Sequence, residues 1–167
     1  MRWIAQIFGV GAMLSLFFMY QQKSRGKILV AKLSADLFWV LHYLFLGGTA
    51  GMIPNFVGIF REIVFLQRKR RKWADRLFWP ILFVLVNLGL GVASFEQWAD
   101  LLPILASGFV TVSLWIDHPQ WTKRIGIPVS LAFLVYDLTV GSYVGMINES
   151  IAIGSILLSF TKERKKR

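Results

Sequence analysis

Long apolar runs separated by short polar connections restrict what this chain can fold into more than any other feature. Seven such runs follow one another along 167 residues, each close to the roughly 20 residues that cross a bilayer as a helix. Apolar residues make up 56% of the chain and charged residues only 17%, against roughly a quarter charged in ordinary soluble domains. A soluble domain of this size has no interior large enough for that much apolar surface. We therefore predict an all-α polytopic membrane protein.

The ends of the apolar runs place the predicted transmembrane helices. The first run is expected to stay as an uncleaved helix, because no small-x-small cleavage site precedes Gln21. Spans five and six are short, which predicts tilt or local thinning of the bilayer. The seven predicted spans are residues 3–20, 28–46, 49–66, 77–94, 101–116, 125–140 and 142–160.

Basic residues are confined to every second connection between the predicted spans. Clusters lie at 23–27, 68–76, 123–124 and 162–167, whereas the other three connections contain no Lys or Arg. By the positive-inside rule, this alternation predicts an N-terminus outside and a C-terminus in the cytoplasm. The net charge of +10 is therefore explained by topology. We expect these clusters to contact anionic lipid headgroups, and we expect no nucleic-acid partner.

An internal repeat appears when the chain is shifted by 94 residues. The segments 37–53 (LFWVLHYLFLGGTAGMI) and 131–147 (LAFLVYDLTVGSYVGMI) share six of 17 positions, including a run of Gly-Met-Ile. The repeat predicts two like-oriented bundles of three helices joined by a single linking helix. In this 3+1+3 scheme, residues 1–67 form the first repeat, 68–100 the basic loop and linking helix 4, and 101–167 the second repeat with its basic cytoplasmic tail.

Several short motifs resemble a known family. Leu-His-Tyr occurs at 41–43, Asn-x-x-Gly-x-x-Arg-Glu begins at Asn55, Leu-Leu-Pro occupies 101–103, and VGSYVGMINE lies at 140–149. Over most of the chain these elements resemble the YgjV-type family of bacterial inner-membrane proteins. The resemblance implies a multi-pass protein of the bacterial inner membrane, and it implies no particular activity.

A more distant resemblance connects the chain with the three-plus-one-plus-three transporters, which include SWEET sugar carriers and PQ-loop proteins. It implies a solute site between the two bundles, and in the SWEET-like relatives one asparagine on each of the third and seventh helices contacts the solute. The paired Pro-Gln signature of PQ-loop proteins is missing here. Pro119-Gln120 is predicted to lie in a loop, and the first half offers Gln21-Gln22 without proline. Transport is therefore inferred by analogy of fold.

The second predicted helix carries three ionisable residues, and each such residue costs a few kcal/mol in lipid. Lys32 and Asp36 are one helical turn apart and are predicted to form a structural ion pair near the cytoplasmic end. Trp39 and Tyr43 share their face, and His42 lies beside it. Two interpretations stay open for Trp39 and His42: a lining that stacks against a solute, or ordinary helix packing.

Arg61 and Glu62 are adjacent in the third predicted helix. Adjacent helical residues point about 100° apart, so these two are predicted not to pair well with each other. Arg61 is instead expected to snorkel toward the basic end or to pair with another helix.

Four polar residues near the outer ends of the helices are the candidate solute contacts. Asn55 and the pair Asn148-Glu149 each follow the repeated Gly-Met-Ile, so they are expected at matched depths in the two repeats. Asp137 flanks them, and two interpretations stay open for it: a buried solute contact, or a side chain that reaches water. For the two asparagines the alternative is hydrogen bonding between helices.

The function expected from these patterns is transport of a small polar solute by alternating access between the two bundles. The alternative is a non-transporting membrane scaffold or regulator that uses the same fold for helix packing. No catalytic or phosphate-binding motif is present in the sequence, so we expect no enzymatic activity, no cofactor and no metal. The oligomeric state stays open, a homo-oligomer included.

Overall fold

The described part of the chain folds into seven α-helices. The computed structural model describes residues 2–21, 25–116 and 119–164, and within these ranges it contains helices and turns but no strand. A short 3-10 turn at Trp98–Asp100 precedes the fifth helix. The helices are α1 (Arg2–Gln21), α2 (Arg25–Leu46), α3 (Thr49–Gln67), α4 (Phe78–Ala93), α5 (Leu101–Ile116), α6 (Pro119–Val140) and α7 (Tyr143–Arg164). The prediction of an all-α chain of seven helices is confirmed.

The sixth helix differs most from its predicted span. It begins at Pro119 and is 22 residues long, so the helix starts six residues before the predicted span 125–140. Proline is favoured in the first turn of a helix, where its missing N–H leaves no hydrogen bond unmade. The helix then continues through Lys123 and Arg124, which hydropathy alone excludes from a span. Pro119-Gln120 consequently belongs to a helix and not to a loop, which corrects the prediction.

Among the described residues, four helical stretches are long and apolar enough to cross a membrane. They are Arg2–Met19, Leu29–Leu46, Thr49–Gln67 and Trp98–Ile116, the last of which includes the 3-10 turn before α5. Phe78–Ala93 in α4 and Tyr143–Leu157 in α7 are shorter apolar stretches. The count of seven crossings stays a prediction.

Helix contacts follow a ring. α1 packs on α2, α2 on α3, α3 on α5, α5 on α6, α6 on α7, and α7 returns to α1. α4 lies against α3 and α5, and its Asn87 donates a hydrogen bond of 2.8 Å to the carbonyl of Ile104. The first and last helices therefore meet, and the middle helices α2 and α6 carry side chains toward a shared centre.

The distribution of polar and apolar side chains is inverted relative to a soluble protein. Large apolar side chains such as Phe17, Leu85 and Leu138 are more than half exposed, whereas Arg61 and Glu62 are among the largest fully buried side chains. An exposed apolar surface of this extent is typical of contact with a membrane. The buried polar groups consequently identify the part of the molecule that needs a functional or structural explanation.

Two tight turns of identical geometry close the hairpins α2–α3 and α6–α7. Gly47 and Gly141 have φ of 79° and 71°, a left-handed conformation that glycine adopts without strain. After each glycine, a backbone N–H bonds five residues back over 2.9 Å, Gly48 to Tyr43 and Ser142 to Asp137, as in a Schellman motif. The two turns are 94 residues apart, which is the offset of the sequence repeat.

Candidate functional site

Histidine 42 of α2 lies at the centre of the molecule and connects three elements. Its ring is fully buried. Nδ1 lies 2.7 Å from the carbonyl of Ala5 in α1, and Nε2 lies 2.7 Å from the hydroxyl of Ser142 in the second glycine turn. Both ring nitrogens are thus engaged by protein groups, one from each half of the chain.

Asp137 of α6 faces the same centre. It is 1% exposed, and the Tyr43 hydroxyl of α2 donates a hydrogen bond of 2.7 Å to its Oδ1. The interpretation of Asp137 as a side chain that reaches water was therefore wrong, because α2 and the α6–α7 turn cover it. Its second carboxylate oxygen makes no hydrogen bond of standard geometry among the described residues, but the hydroxyl of Ser142 interacts with the carboxylate.

These contacts are reciprocal between the two halves of the chain. His42 and Tyr136 correspond at the 94-residue offset. His42 contacts the second glycine turn through Ser142, and the Tyr136 hydroxyl accepts a hydrogen bond of 2.9 Å from the N–H of Gly51, directly after the first glycine turn. Tyr43 and Asp137, which also correspond, bond to each other. The two turn contacts are similar but not equivalent, since Gly48 and not Gly51 corresponds to Ser142.

Trp39 is packed into the aromatic cluster around this centre. Its ring stacks on Tyr43 with centroids 5.7 Å apart and meets His42 edge-on at 5.1 Å. The side chain is buried among small and aromatic residues of the core, including Ala12 and Tyr136. Trp39 and His42 are thus brought together, with their surfaces covered by protein groups.

The candidate asparagines of α3 and α7 are also buried, and Glu149 is half-buried. Asn55 and Asn148 are each 8% exposed. Asn55 Nδ2 donates 2.8 Å to the carbonyl of Gly51 in its own helix, and Asn148 Nδ2 donates 2.9 Å to Oε1 of Glu149. At an offset of 94 the residue equivalent to Asn55 is Glu149. The repeat therefore matches an amide in one half with a carboxylate in the other.

One charged side chain of the first half acts on the carboxylate of Glu149. Lys32 of α2 acts electrostatically on its carboxylate, and the hydroxyl of Ser130 in α6 interacts with it. Lys32 also forms an ion pair with Asp36, one turn along α2. Lys32 thus pairs directly with Asp36, and its electrostatic effect on Glu149 is the weaker of the two.

A second pair of buried charges lies next to Asp36. Arg61 Nη2 is 3.0 Å from Oε1 of Glu62, and Arg61 Nη1 donates 2.9 Å to the hydroxyl of Thr111 in α5. Arg61 is only 2% exposed. The predictions that Arg61 and Glu62 pair poorly and that Arg61 snorkels were therefore wrong, because the long guanidinium arm bends back to its neighbour while α5 supplies a further acceptor.

Glycine 58 makes room for this group of charges. A Cβ at that position would lie 2.5 Å from Oδ2 of Asp36 and 3.1 Å from Nη2 of Arg61. Gly58 is the glycine of the Asn-x-x-Gly-x-x-Arg-Glu motif. Packing therefore explains the glycine of this motif, because a residue without a side chain leaves room for the Asp36 carboxylate of α2 beside Arg61 of α3.

Two cavities in the described part of the chain lie at the basic end of the helices. One of about 780 Å³ lies between the start of α2 and the end of α3, and one of about 540 Å³ lies along residues 68–72. None of the candidate solute contacts lines either cavity. The centre around Tyr43 and Asp137 is closed in this conformation.

A comparison with known families gives a match over almost the whole chain. A family model described as a bacterial inner membrane protein covers residues 3–167. The chain belongs to the Imp-YgjV family. The resemblance inferred from the short motifs is thereby confirmed, and the Imp-YgjV description agrees with the exposed apolar surface. No curated protein and no solved structure gives a significant match, so the relationship to SWEET and PQ-loop proteins stays a prediction.

Several buried polar residues of this Imp-YgjV protein escaped the sequence interpretation. Nothing in the sequence indicated that Ser142 and Thr111 belong to the polar centre, because a single hydroxyl in an apolar segment is common. Gln6 of α1 accepts 3.2 Å from the N–H of Val144 in α7, a contact that requires the ring closure of α1 on α7. Tyr136 had a signal, since the 94-residue offset aligns it with His42.

Proposed function

We propose that this protein carries a small polar solute across the bacterial inner membrane, and that the structure corresponds to a closed state of the carrier. The observation that carries the proposal is the buried carboxylate of Asp137, bonded to Tyr43 where equivalent residues of the two halves meet. Ionisable groups inside membrane proteins are costly and most often belong to substrate or ion pathways. When the halves separate, this carboxylate becomes an acceptor for a solute or a water molecule.

The proposed architecture is two like-oriented bundles of three helices, α1–α3 and α5–α7, with α4 as the linking helix. The glycine turns with matching hydrogen bonds at the 94-residue offset support this reading. A unit of three helices joined by one further crossing places both copies the same way up, related by an axis along the membrane normal. We propose seven crossings, with the N-terminus outside and the basic C-terminus in the cytoplasm.

In this carrier the polar groups of α3 and α7 contact the solute when the halves separate. Asn55 and Glu149 occupy equivalent positions in the two repeats, and Asn148 hydrogen-bonds to Glu149. We assign these three residues to direct contact with the solute, and Asp137, His42 and Trp39 to the wall beside it. The Lys32–Asp36 ion pair has a structural role in α2. The proposal involves no covalent chemistry and no cofactor.

The second candidate is a membrane scaffold or regulator that does not transport. It is favoured by the closed centre, because the rings of Trp39, His42 and Tyr43 fill the space between the halves. A scaffold keeps this centre dry at all times, whereas a carrier must open it to each side of the membrane. The two functions therefore differ in a measurable property, the hydration of the centre.

Solute transport is tested by comparing a deletion strain with its complemented parent. We expect one or a few small polar metabolites to change their ratio between cells and medium, and to be taken up by vesicles that contain the purified chain. In those vesicles Asn55→Ala and Glu149→Gln are expected to lower uptake by about ten-fold, since the first removes a hydrogen bond to the solute and the second removes the charge that strengthens one.

The matched control is Glu96→Gln, which removes an exposed carboxylate outside the bundle centre. Its uptake should equal that of the unmodified chain. If Asn55→Ala and Glu149→Gln lower uptake only as far as they lower the amount of folded protein, the solute-contact assignment is wrong. If no metabolite distinguishes the strains and no vesicle uptake is found, the scaffold is the better account.

A further inference from the structure

The larger cavity lies at the junction of two helix ends and combines two kinds of surface. It has a volume of about 780 Å³ and is lined by the first turns of α2 and the last turn of α3. Among the described residues, its charged lining consists of Lys27, Lys69 and Arg70, and its apolar lining includes Leu29 and Phe65. A groove with cations along one part and apolar side chains along the other is complementary to an amphiphilic anion.

The adjoining cavity extends the positive surface. It shares Lys69 and Arg70 with the larger one and adds Arg68, Arg71 and Lys72, against a single carboxylate, Asp75. That carboxylate already accepts a hydrogen bond of 2.8 Å from Arg68. The shared residues Lys69 and Arg70 therefore lie where the positive charge of this surface is concentrated.

Tryptophans place this end of the molecule at a membrane–water boundary. Trp73 and Trp121 are about half exposed, the indole N–H of Trp79 donates 2.8 Å to the carbonyl of Trp73, and Arg68 stacks 3.8 Å over the ring of Trp115. Trp is enriched where the lipid headgroups begin. The cations of the groove are therefore at headgroup level, and its apolar lining continues toward the hydrocarbon.

The groove opens to the lipid-facing side of the helices. Val30, which lines it, is half exposed. Gly26 also lines it, and a Cβ added to Gly26 would meet no atom within 4 Å. A lipid chain can therefore enter from the membrane without displacing protein atoms.

We propose that this groove binds one anionic phospholipid, with the phosphate at Lys69 and Arg70 and the start of an acyl chain along Leu29, Val30 and Phe65. A lipid is the occupant that matches both halves of the lining, since a free phosphate leaves the apolar half in water. The basic tail of the chain is excluded as an occupant because its charge has the same sign as the groove.

The test titrates the full chain in neutral-detergent micelles with dioleoylphosphatidylglycerol and counts bound lipids by native mass spectrometry. We expect one phosphatidylglycerol to be retained at least ten-fold more tightly than dioleoylphosphatidylcholine. Removing one basic residue near a lipid headgroup weakens binding about five-fold, so Lys69→Gln with Arg70→Gln should weaken it about 25-fold. Gly26→Leu, which fills the groove without changing charge, should weaken it about ten-fold.

The matched control is Arg76→Gln with Arg124→Gln, which changes the charge by the same amount at the same end of the molecule but outside both cavities. It should weaken binding less than three-fold. Equal weakening by the two double variants means diffuse attraction to anionic lipid and overturns the proposal. Displacement of the lipid by equimolar glycerol phosphate also overturns it, because that result assigns the site to a free phosphate. Stable helical circular dichroism in all variants keeps these outcomes separate from unfolding.

Discussion

Replacing Arg61 by alanine is expected to lower the free energy of unfolding by about 3–5 kcal/mol, the range found when one partner of a buried ion pair is removed. The guanidinium is buried and bonded to Glu62 and to Thr111. Without it, the Glu62 carboxylate stays buried and has no cation beside it, and α5 loses its polar contact with α3. Unfolding of the purified protein by a denaturing detergent, followed by circular dichroism, measures the change.

The matched control is Asp75→Asn, which removes an ion pair to Arg68 at an exposed position. Exposed pairs contribute about 0–1 kcal/mol, so this variant should unfold almost like the unmodified chain. Adding Glu62→Gln to Arg61→Ala should recover part of the loss, because the uncompensated charge is then gone. A loss below about 1 kcal/mol in Arg61→Ala contradicts the proposed role of Arg61 in joining α3 to α5.

Asp137→Asn is expected to lower solute uptake by about 10- to 100-fold while leaving the fold intact. Asparagine has the shape of aspartate and still accepts the hydrogen bond from Tyr43, so the packing of the centre is preserved. The change removes the negative charge from the place where the halves meet. Hydrogen bonds to charged groups contribute about 1.5–3 kcal/mol, which corresponds to this range of rates.

The measurement is the initial rate of uptake into vesicles at equal amounts of folded protein. Glu96→Gln, an exposed carboxylate change, is again the control and should transport normally. Uptake by Tyr43→Phe should also fall, because this variant leaves the Asp137 carboxylate without its hydrogen-bond donor. Normal uptake by Asp137→Asn means that the buried carboxylate is structural and removes the main support for a carrier.

The helices of this chain could be predicted because each is an apolar run bounded by charges or glycine. The span 101–116 coincides with α5, and the predicted ends 46, 49 and 140 coincide with those of α2, α3 and α6. The start of α6 was missed because hydropathy marks only the part of a helix that matches hydrocarbon. A helix that begins in polar residues extends beyond its apolar run.

The polar centre was harder to predict because it depends on contacts between distant segments. Asn55, Asn148 and Glu149 were found from a repeat in the sequence, whereas the burial of Asp137 results from α2 and from the turn that follows α6. The pairing of Arg61 with Glu62 was missed for a local reason: positions around a helix describe the Cβ directions, and a long arginine side chain reaches beyond them. Thr111, its other partner, lies 50 residues away.

The central claim, that the polar centre between the two halves opens in turn to each side of the membrane, is tested most directly by chemical labelling. The chain has no cysteine, so Ser130→Cys in the middle of α6 introduces a single thiol. The Ser130 side chain that it replaces interacts with Glu149. The carrier predicts that a membrane-impermeant maleimide labels this thiol from either face of sealed vesicles, more slowly than a thiol at the exposed position of Glu96. A thiol that stays unlabelled from one face or from both, while the Glu96 control reacts fully from the face that exposes it, contradicts the claim.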